Sequence, residues 1–269
     1  MYNRPKVSEI YLLGLQRLKE VAEFDVLVIV SDDASAELCD KYGIKYFYHK
    51  NLPLGLKHNF MFEKCLEQEF DYVIHSGDDN VMSNELFAHY ISLFANAEHE
   101  YIKAHGLYFY DLFTNKALNF QPKMTFGAFR AFKRDLLERV GYQCHVVFNQ
   151  TIQIGGKQYD KGGMYSLPKH LAEYYKEKNC CVIEYTYFNL WGNDRNHGLD
   201  FSSESKLIES GVKAHIVKFD EPQIIDFKSE QNIWSFKKYW TMSTDAHSEK
   251  VLSMLSEAER EKVLHFVNC

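Results

Sequence analysis

Residues 71–80, Asp-Tyr-Val-Ile-His-Ser-Gly-Asp-Asp-Asn, constrain this chain more than any other stretch. A short apolar run that stops at small and acidic residues is the pattern of a buried strand. Such a strand ends at the carboxyl edge of a sheet, where open α/β folds hold their ligands. Asp78 and Asp79 then stand side by side at that edge. Neighbouring carboxylates repel one another, and a hard cation such as Mg²⁺ or Mn²⁺ between them and a phosphate relieves the repulsion. Asp-Asp-Asn before an apolar period also caps helices well, so a solvated turn is the competing reading.

At 269 residues the chain is long enough for one large core, or one domain with an addition. Its 46% hydrophobic content argues against extensive disorder. The net charge of −6 gives no general attraction to nucleic acid or anionic lipid, so a polyanion would need a specific groove. No apolar run spans a bilayer, and Met-Tyr-Asn-Arg-Pro lacks a signal-peptide core. The expectation is a cytoplasmic enzyme (host cytoplasm if viral), with no membrane and no obligate protein partner. Six cysteines without Cys-x-x-Cys spacing read as reduced packing residues.

Val7, Ile10, Tyr11, Leu15, Leu18 and Val21 recur at helical spacing behind Pro5, which predicts an amphipathic helix over 5–22. A buried strand over 26–30 runs into Ser31-Asp32-Asp33-Ala34-Ser35, a helix over 34–42 closes at Gly43, and a short strand covers 44–48. The turn cluster at 51–55 leads to a helix over 57–68 and so to the 71–80 stretch. Lys57 and Asn59 fall in that helix's first turn, where amide hydrogens and a cation together favour an anion. Ser83 opens the next helix, and strands at 101–104 and 107–113 are followed by a hairpin turn at 114–116.

Residues 126–141 pass from strand to helix, 145–163 carry a hairpin around Gly155-Gly156, a helix covers 165–177 and a strand 180–187. The polar loop 191–200 precedes a helix over 202–210 and a strand over 212–217. Beyond Pro222 come a strand over 224–227, the aromatic-basic run 232–240 and a helix over 246–266. The expected organisation is a main domain over 1–222 and a C-terminal helical appendage over 223–269. The expected class is α/β, with a mixed, mainly parallel sheet flanked by helices.

Four short motifs then stand in a telling order: Tyr2-Asn3-Arg4-Pro5, Ser31-Asp32-Asp33-Ala34-Ser35, Ser76-Gly77-Asp78-Asp79, and Leu199-Asp200 with Leu207 and Gly211 downstream. That order resembles a GT-A (Rossmann-like) glycosyltransferase of the family-2 type, which takes a sugar from a nucleoside diphosphate. The resemblance implies that Tyr2, Asn3 and Arg4 lie against the nucleotide and that an acid of Asp32 and Asp33 contacts the base. It places Asp78 and Asp79 at the family's metal-binding Asp-x-Asp motif and Asp200 at the general base of inverting members. His215 falls where some members carry a third metal ligand.

Ser76 stands where the family often has its first aspartate, and Leu199 where it has glutamate. The strand expected before Tyr2 is also missing from the sequence. The metal, Mn²⁺ or Mg²⁺, then rests on Asp78, Asp79 and the donor's diphosphate, with Lys57 and Asn59 as further donor contacts. Trp191 and His197 are candidates for the acceptor pocket, and Arg130, Lys133 and Arg134 for the diphosphate.

The implied activity is metal-dependent transfer of a hexosyl or pentosyl group to a soluble acceptor hydroxyl, with inversion. Hydroxymethylated DNA is one candidate acceptor, because Lys237 and Lys238 sit between aromatics in the run 234–240. A nucleotidyltransferase would need a glycine- and basic-rich phosphate loop after the first strand, which the sequence lacks. A non-catalytic nucleotide-sugar-binding module is the third reading, kept open by the acids lost at Ser76 and Leu199.

Overall fold

The computed structural model describes residues 1–121, 127–192, 199–229 and 243–267, with the side chains of 199–202 and 267 outside the description. The chain forms two compact units: Met1–Asn51 with Tyr72–Phe132 and Ala214–Cys269, and Leu52–Asp71 with Lys133–Lys213. This division differs from the boundary expected at residue 222, because the strand Ile224–Lys228 lies within a sheet of the first unit.

In the first unit the helix Pro5–Leu18 opens on a proline in its first turn and buries Val7, Ile10, Leu12, Leu15 and Leu18. At Gly14 that helix passes close to its neighbours. A Cβ there would sit 3.0 Å from Glu259 Oε1 and 3.3 Å from Val81 Cγ1. The strand Leu27–Val30 pairs in parallel with Lys45–Tyr48, and the helix Asp33–Lys41 connects them. Met1 runs beside the first of these strands, its amino group donating to Ile29 O at 2.6 Å and its carbonyl accepting from Ser31 N at 3.2 Å.

A four-stranded sheet has the order His215–Val217, Tyr101–Ala104, Arg130–Lys133, Tyr72–His75. A five-stranded sheet has the order Thr244–Ala246, Lys116–Phe120, Leu107–Asp111, Ile224–Lys228, Asn80–Met82. Ile224–Lys228 runs parallel to Leu107–Asp111 and antiparallel to Asn80–Met82. The mixed α/β class expected from sequence holds, but as several sheets rather than one, with parallel and antiparallel pairs both present. Among the described residues one apolar core of the unit lies under the helix Asn84–Asn96 and another around Phe227 and the C-terminal helices Ser248–Leu252 and Glu257–Val267.

The second unit holds a three-stranded antiparallel sheet, Met164–Pro168, Tyr142–Phe148, Cys181–Phe188, with the helix Lys169–Glu177 against one face. The hairpin Ile152–Ile154 and Lys157–Tyr159 turns at Gly155 and Gly156 as expected, and both glycines are at positive φ. Arg134 closes the helix Leu54–Leu66: its guanidinium donates to Leu66 O at 2.9 Å and to Gln68 O at 2.5 Å, and it pairs with Glu138 at 2.8 Å.

Two helices depart from the expected bounds. The helix expected over 165–177 begins only at Lys169, because Pro168 keeps the residue before it extended and leaves Met164–Pro168 as a strand. The helix expected over 246–266 breaks at Ser256. Its hydroxyl accepts from Glu259 N at 3.3 Å while Glu259 Oε2 accepts from Ser256 N at 2.7 Å, a capping box that starts a fresh helix. Among the described residues no helix is long and apolar enough to cross a membrane.

Candidate active site

The strand Tyr72–His75 ends in a turn that presents Ser76, Asp78 and Asp79, and the strand Asn80–Met82 leaves from it. Arg4, immediately before the first helix, spans the acid pair. Its Nη2 donates to Asp78 Oδ1 at 2.5 Å and its Nη1 to Asp79 Oδ2 at 2.8 Å. Ser8, one turn into the helix, donates to the other oxygen of Asp78 at 2.6 Å. Burial works against the charge on Arg4, but Asp79 and Asp78 outweigh it and raise the guanidinium pKa. Tyr11, another turn along, bonds Ser76; burial pushes its hydroxyl pKa up, and Asp78 adds to the rise.

The Ser31–Ser35 motif joins the same corner through the backbone. Asp32 caps the helix Asp33–Lys41, accepting from Ser35 N at 2.8 Å, and its second oxygen accepts from Asn3 N at 2.8 Å. Burial would raise its pKa, but these hydrogen bonds hold it below the ordinary carboxylate value. Asn3 is left-handed, at φ 53°, the turn that lets residues 3 and 4 face different acids. Asp33 is exposed and accepts from Tyr48 OH at 3.1 Å, and Tyr2 is exposed.

A third carboxylate arrives from a strand that sequence reading left out of the site. Asp226 pairs in register with Asn80, and Phe227 N donates to Asp79 O at 2.8 Å. Lys228, two residues on and therefore on the same face, places its Nζ 2.8 Å from both carboxylate oxygens of Asp226. The signal was present in Ile224-Ile225-Asp226-Phe227-Lys228: two opposite charges at alternate positions of an apolar strand read as an internal pair.

Burial pushes Asp226 up to about 7, with Asp79 adding to the rise and Lys228 and Arg4 opposing it. An unfolded aspartate titrates near 4, so the folded chain binds this proton more tightly. Stability contributed by the group is therefore fully present below about pH 4 and lost as pH rises towards about 7. Urea unfolding at pH 5 and pH 8 should show the native protein losing more stability between the two than Asp226→Asn does; equal losses would rule the assignment out.

Other residues singled out from sequence lie elsewhere. His215 opens the strand at the far edge of the four-stranded sheet from Tyr72–His75, with two strands between, roughly 14 Å at ordinary strand spacing. Its ring stacks on His99 with centroids 3.8 Å apart, and burial, with His99 and His89, lowers its pKa. The expectation of His215 as a ligand beside Asp78 and Asp79 is therefore corrected. Among the described residues no three His, Cys, Asp or Glu side chains converge to hold a metal ion.

Asn59 and Trp191 belong to the interior of the second unit. Trp191 has no exposed surface and stacks on Phe62 at 4.4 Å, while Asn59 Oδ1 accepts from Trp191 N at 3.1 Å. Both are corrected from ligand contacts to packing residues, because neither presents a polar group to solvent. Lys57 sits in the first turn of Leu54–Leu66. Asp200 falls within the helix Leu199–Glu209, its side chain outside the description. His197 and the aromatic-basic run lie outside the described residues.

These elements define a mixed α/β protein with an acid pair at a strand end, bridged by an arginine. No protein-family model matches the sequence, and no curated protein matches it. Among solved structures the chain is similar to the inositol-1-phosphate CTP transferase from T. maritima, at 12% identity over 92% of this chain and 84% of that one, with a TM-score of 0.39. It is also similar to a CMP:2-keto-3-deoxy-manno-octonic acid synthetase complexed with CTP, at 10% identity over 86% and 85% of the two chains, with a TM-score of 0.38. At this level of similarity neither assigns an activity to the chain.

Proposed function

We propose that the chain is a glycosyltransferase that moves a sugar from a nucleoside diphosphate to an acceptor hydroxyl, with inversion. One observation carries the reading. Three motifs far apart in sequence meet in one corner: Asn3 N on Asp32, and Arg4 on Asp78 and Asp79. These are the motifs, in the order, that resemble a GT-A enzyme of the family-2 type.

In this reaction the bond between the anomeric carbon and the diphosphate oxygen breaks, and negative charge grows on the departing oxygen. Arg4 is the cation at the acid pair, and its fork matches phosphate oxygens in pairs. Asp200 is the base that the motif order assigns: it takes the proton of the acceptor hydroxyl as the new bond to carbon forms, a role worth about 10²–10⁴-fold in rate. Asp32 holds Asn3, and so the Arg4 turn, beside the nucleotide.

Mn²⁺ or Mg²⁺ belongs to the family resemblance, and when bound it would neutralise the leaving diphosphate. The residues as arranged do not fit it: Arg4 already occupies the space between Asp78 and Asp79. A non-catalytic nucleotide-sugar binder is the second reading, favoured by this same bridge, which leaves both acids already engaged by a cation.

The test is a panel of nucleotide sugars, with Mn²⁺, Mg²⁺ or chelator, read as nucleoside diphosphate released. Release from one donor is expected, accelerated by an acceptor; hydroxymethylated DNA is the first acceptor to try. Binding of a donor without release points to the binder. Pyrophosphate release from a nucleoside triphosphate and a sugar 1-phosphate would overturn both readings.

A further inference from the structure

The three-stranded sheet of the second unit carries its helix on one face. Along the central strand Tyr142–Phe148, the side chains of Cys144, Val146 and Phe148 are buried with Ala172 of the helix Lys169–Glu177. Successive residues of a strand point to opposite faces, so His145 and Val147 lie on the other one. The register sets Ser166 and Tyr185 to either side of His145, and Met164 and Val182 to either side of Val147. This second face is open: Tyr185 is 53% exposed, Val182 56% and Met164 60%.

Aromatic rings occupy its middle. His145 stacks on Tyr185 with centroids 4.5 Å apart and meets Tyr187 at 5.1 Å, and the two tyrosine rings are 5.8 Å apart. Glu184 stands unpaired in a bulge, which is what brings Tyr185 opposite His145. Tyr187 and Ser166 belong to the two outer strands, yet their hydroxyl oxygens are 2.8 Å apart. That bond lays the Tyr187 ring across the central strand.

We infer that this face binds a short neutral glycan. A sugar ring has an apolar C–H face and a rim of hydroxyls. Exposed tyrosine rings take the first by stacking, and the hydroxyls of Ser166 and Tyr187, which both donate and accept, suit the second. Charge and size argue against the other occupants. Among the described residues, no Asp, Glu, Lys or Arg is paired in register on this face, whereas a stacking surface for nucleic acid needs cations along the backbone. The paired rows run about 14 Å along the strands and about 10 Å across them. A patch of that size is far below the roughly 800 Å² that each partner gives up in a stable protein complex. It suits a di- or trisaccharide.

The test is saturation-transfer-difference NMR of the full chain with maltotriose, cellotriose and triacetylchitotriose, and with hexathymidylate as the charged comparison. One of the trisaccharides is expected to receive saturation at its ring C–H protons. Tyr185→Ala should weaken its binding by at least about 10-fold, while Tyr185→Phe, which keeps the ring, should bind within about 3-fold of the native protein. Should Tyr185→Ala fail to fold, Tyr185→Leu makes the same comparison, because it keeps the apolar bulk and loses the flat ring.

No binding of any trisaccharide, or equal binding by the native protein and Tyr185→Ala, overturns the inference. So does hexathymidylate binding in their place, or a dimer in sedimentation velocity that Tyr185→Ala dissolves, which would give the face to a second copy of the chain. The reaction proposed at Asp78 and Asp79 is tested by donor turnover and this face by trisaccharide binding, so either can fail while the other stands.

Discussion

Glu259→Ala is expected to lower the free energy of unfolding by about 3–5 kcal/mol, the usual cost of removing one partner from a buried ion pair. Glu259 has no exposed surface, and its Oε2 accepts from Arg17 Nε at 2.8 Å. Arg17 also donates to Met82 O at 2.7 Å and to Asn84, so it cannot follow its partner out to water. The same substitution removes half of the capping box with Ser256. Glu259→Gln keeps a box acceptor and loses only the charge, and should fall between. Chemical denaturation of the three proteins measures the difference. A loss for Glu259→Ala below about 1 kcal/mol, the range of an exposed pair, would mean that Arg17 and Glu259 do not lock the C-terminal helix to the first one.

Asp79→Asn is expected to slow donor turnover by about 10²–10³-fold, the usual loss when one preorganised charge contact in a reacting site is removed. Asp79 holds Nη1 of Arg4, while Asp78 and Ser8 keep the other side of the bridge intact, so the fold should survive the change. Nucleoside diphosphate release at saturating donor, set beside donor affinity, separates lost turnover from lost binding. Unaltered release in Asp79→Asn would remove the acid pair from the reaction.

Much of this was open to a reader of the sequence because it rests on local rules. The run Tyr-Val-Ile-His before Ser-Gly-Asp-Asp makes the strand Tyr72–His75, which leads into the turn that holds Asp78 and Asp79. Ser83 caps its helix as its position suggested, accepting from Leu86 N at 3.0 Å. The hairpin at Gly155-Gly156 follows from glycine's tolerance of positive φ. Two local signals were present and passed over: the Ser256-x-x-Glu259 box that divides the last helix, and Pro168, which ends a strand.

What lay out of reach depends on residues brought together from distant parts of the chain. Nothing near Ile224 says that its strand will pair with Asn80–Met82, and only that pairing carries Asp226 to Asp79. Trp191 looks like a loop aromatic until the helix Leu54–Leu66 supplies Phe62 and Asn59 to bury it.

The sequence by itself determined the strand that ends in two acids and the basic turn before the first helix, because strand and turn formation answer to neighbouring residues. The tertiary structure alone decided that the turn's Arg4 lies between those acids, since a charge finds its partner by how strands and helices pack and not by its place along the chain.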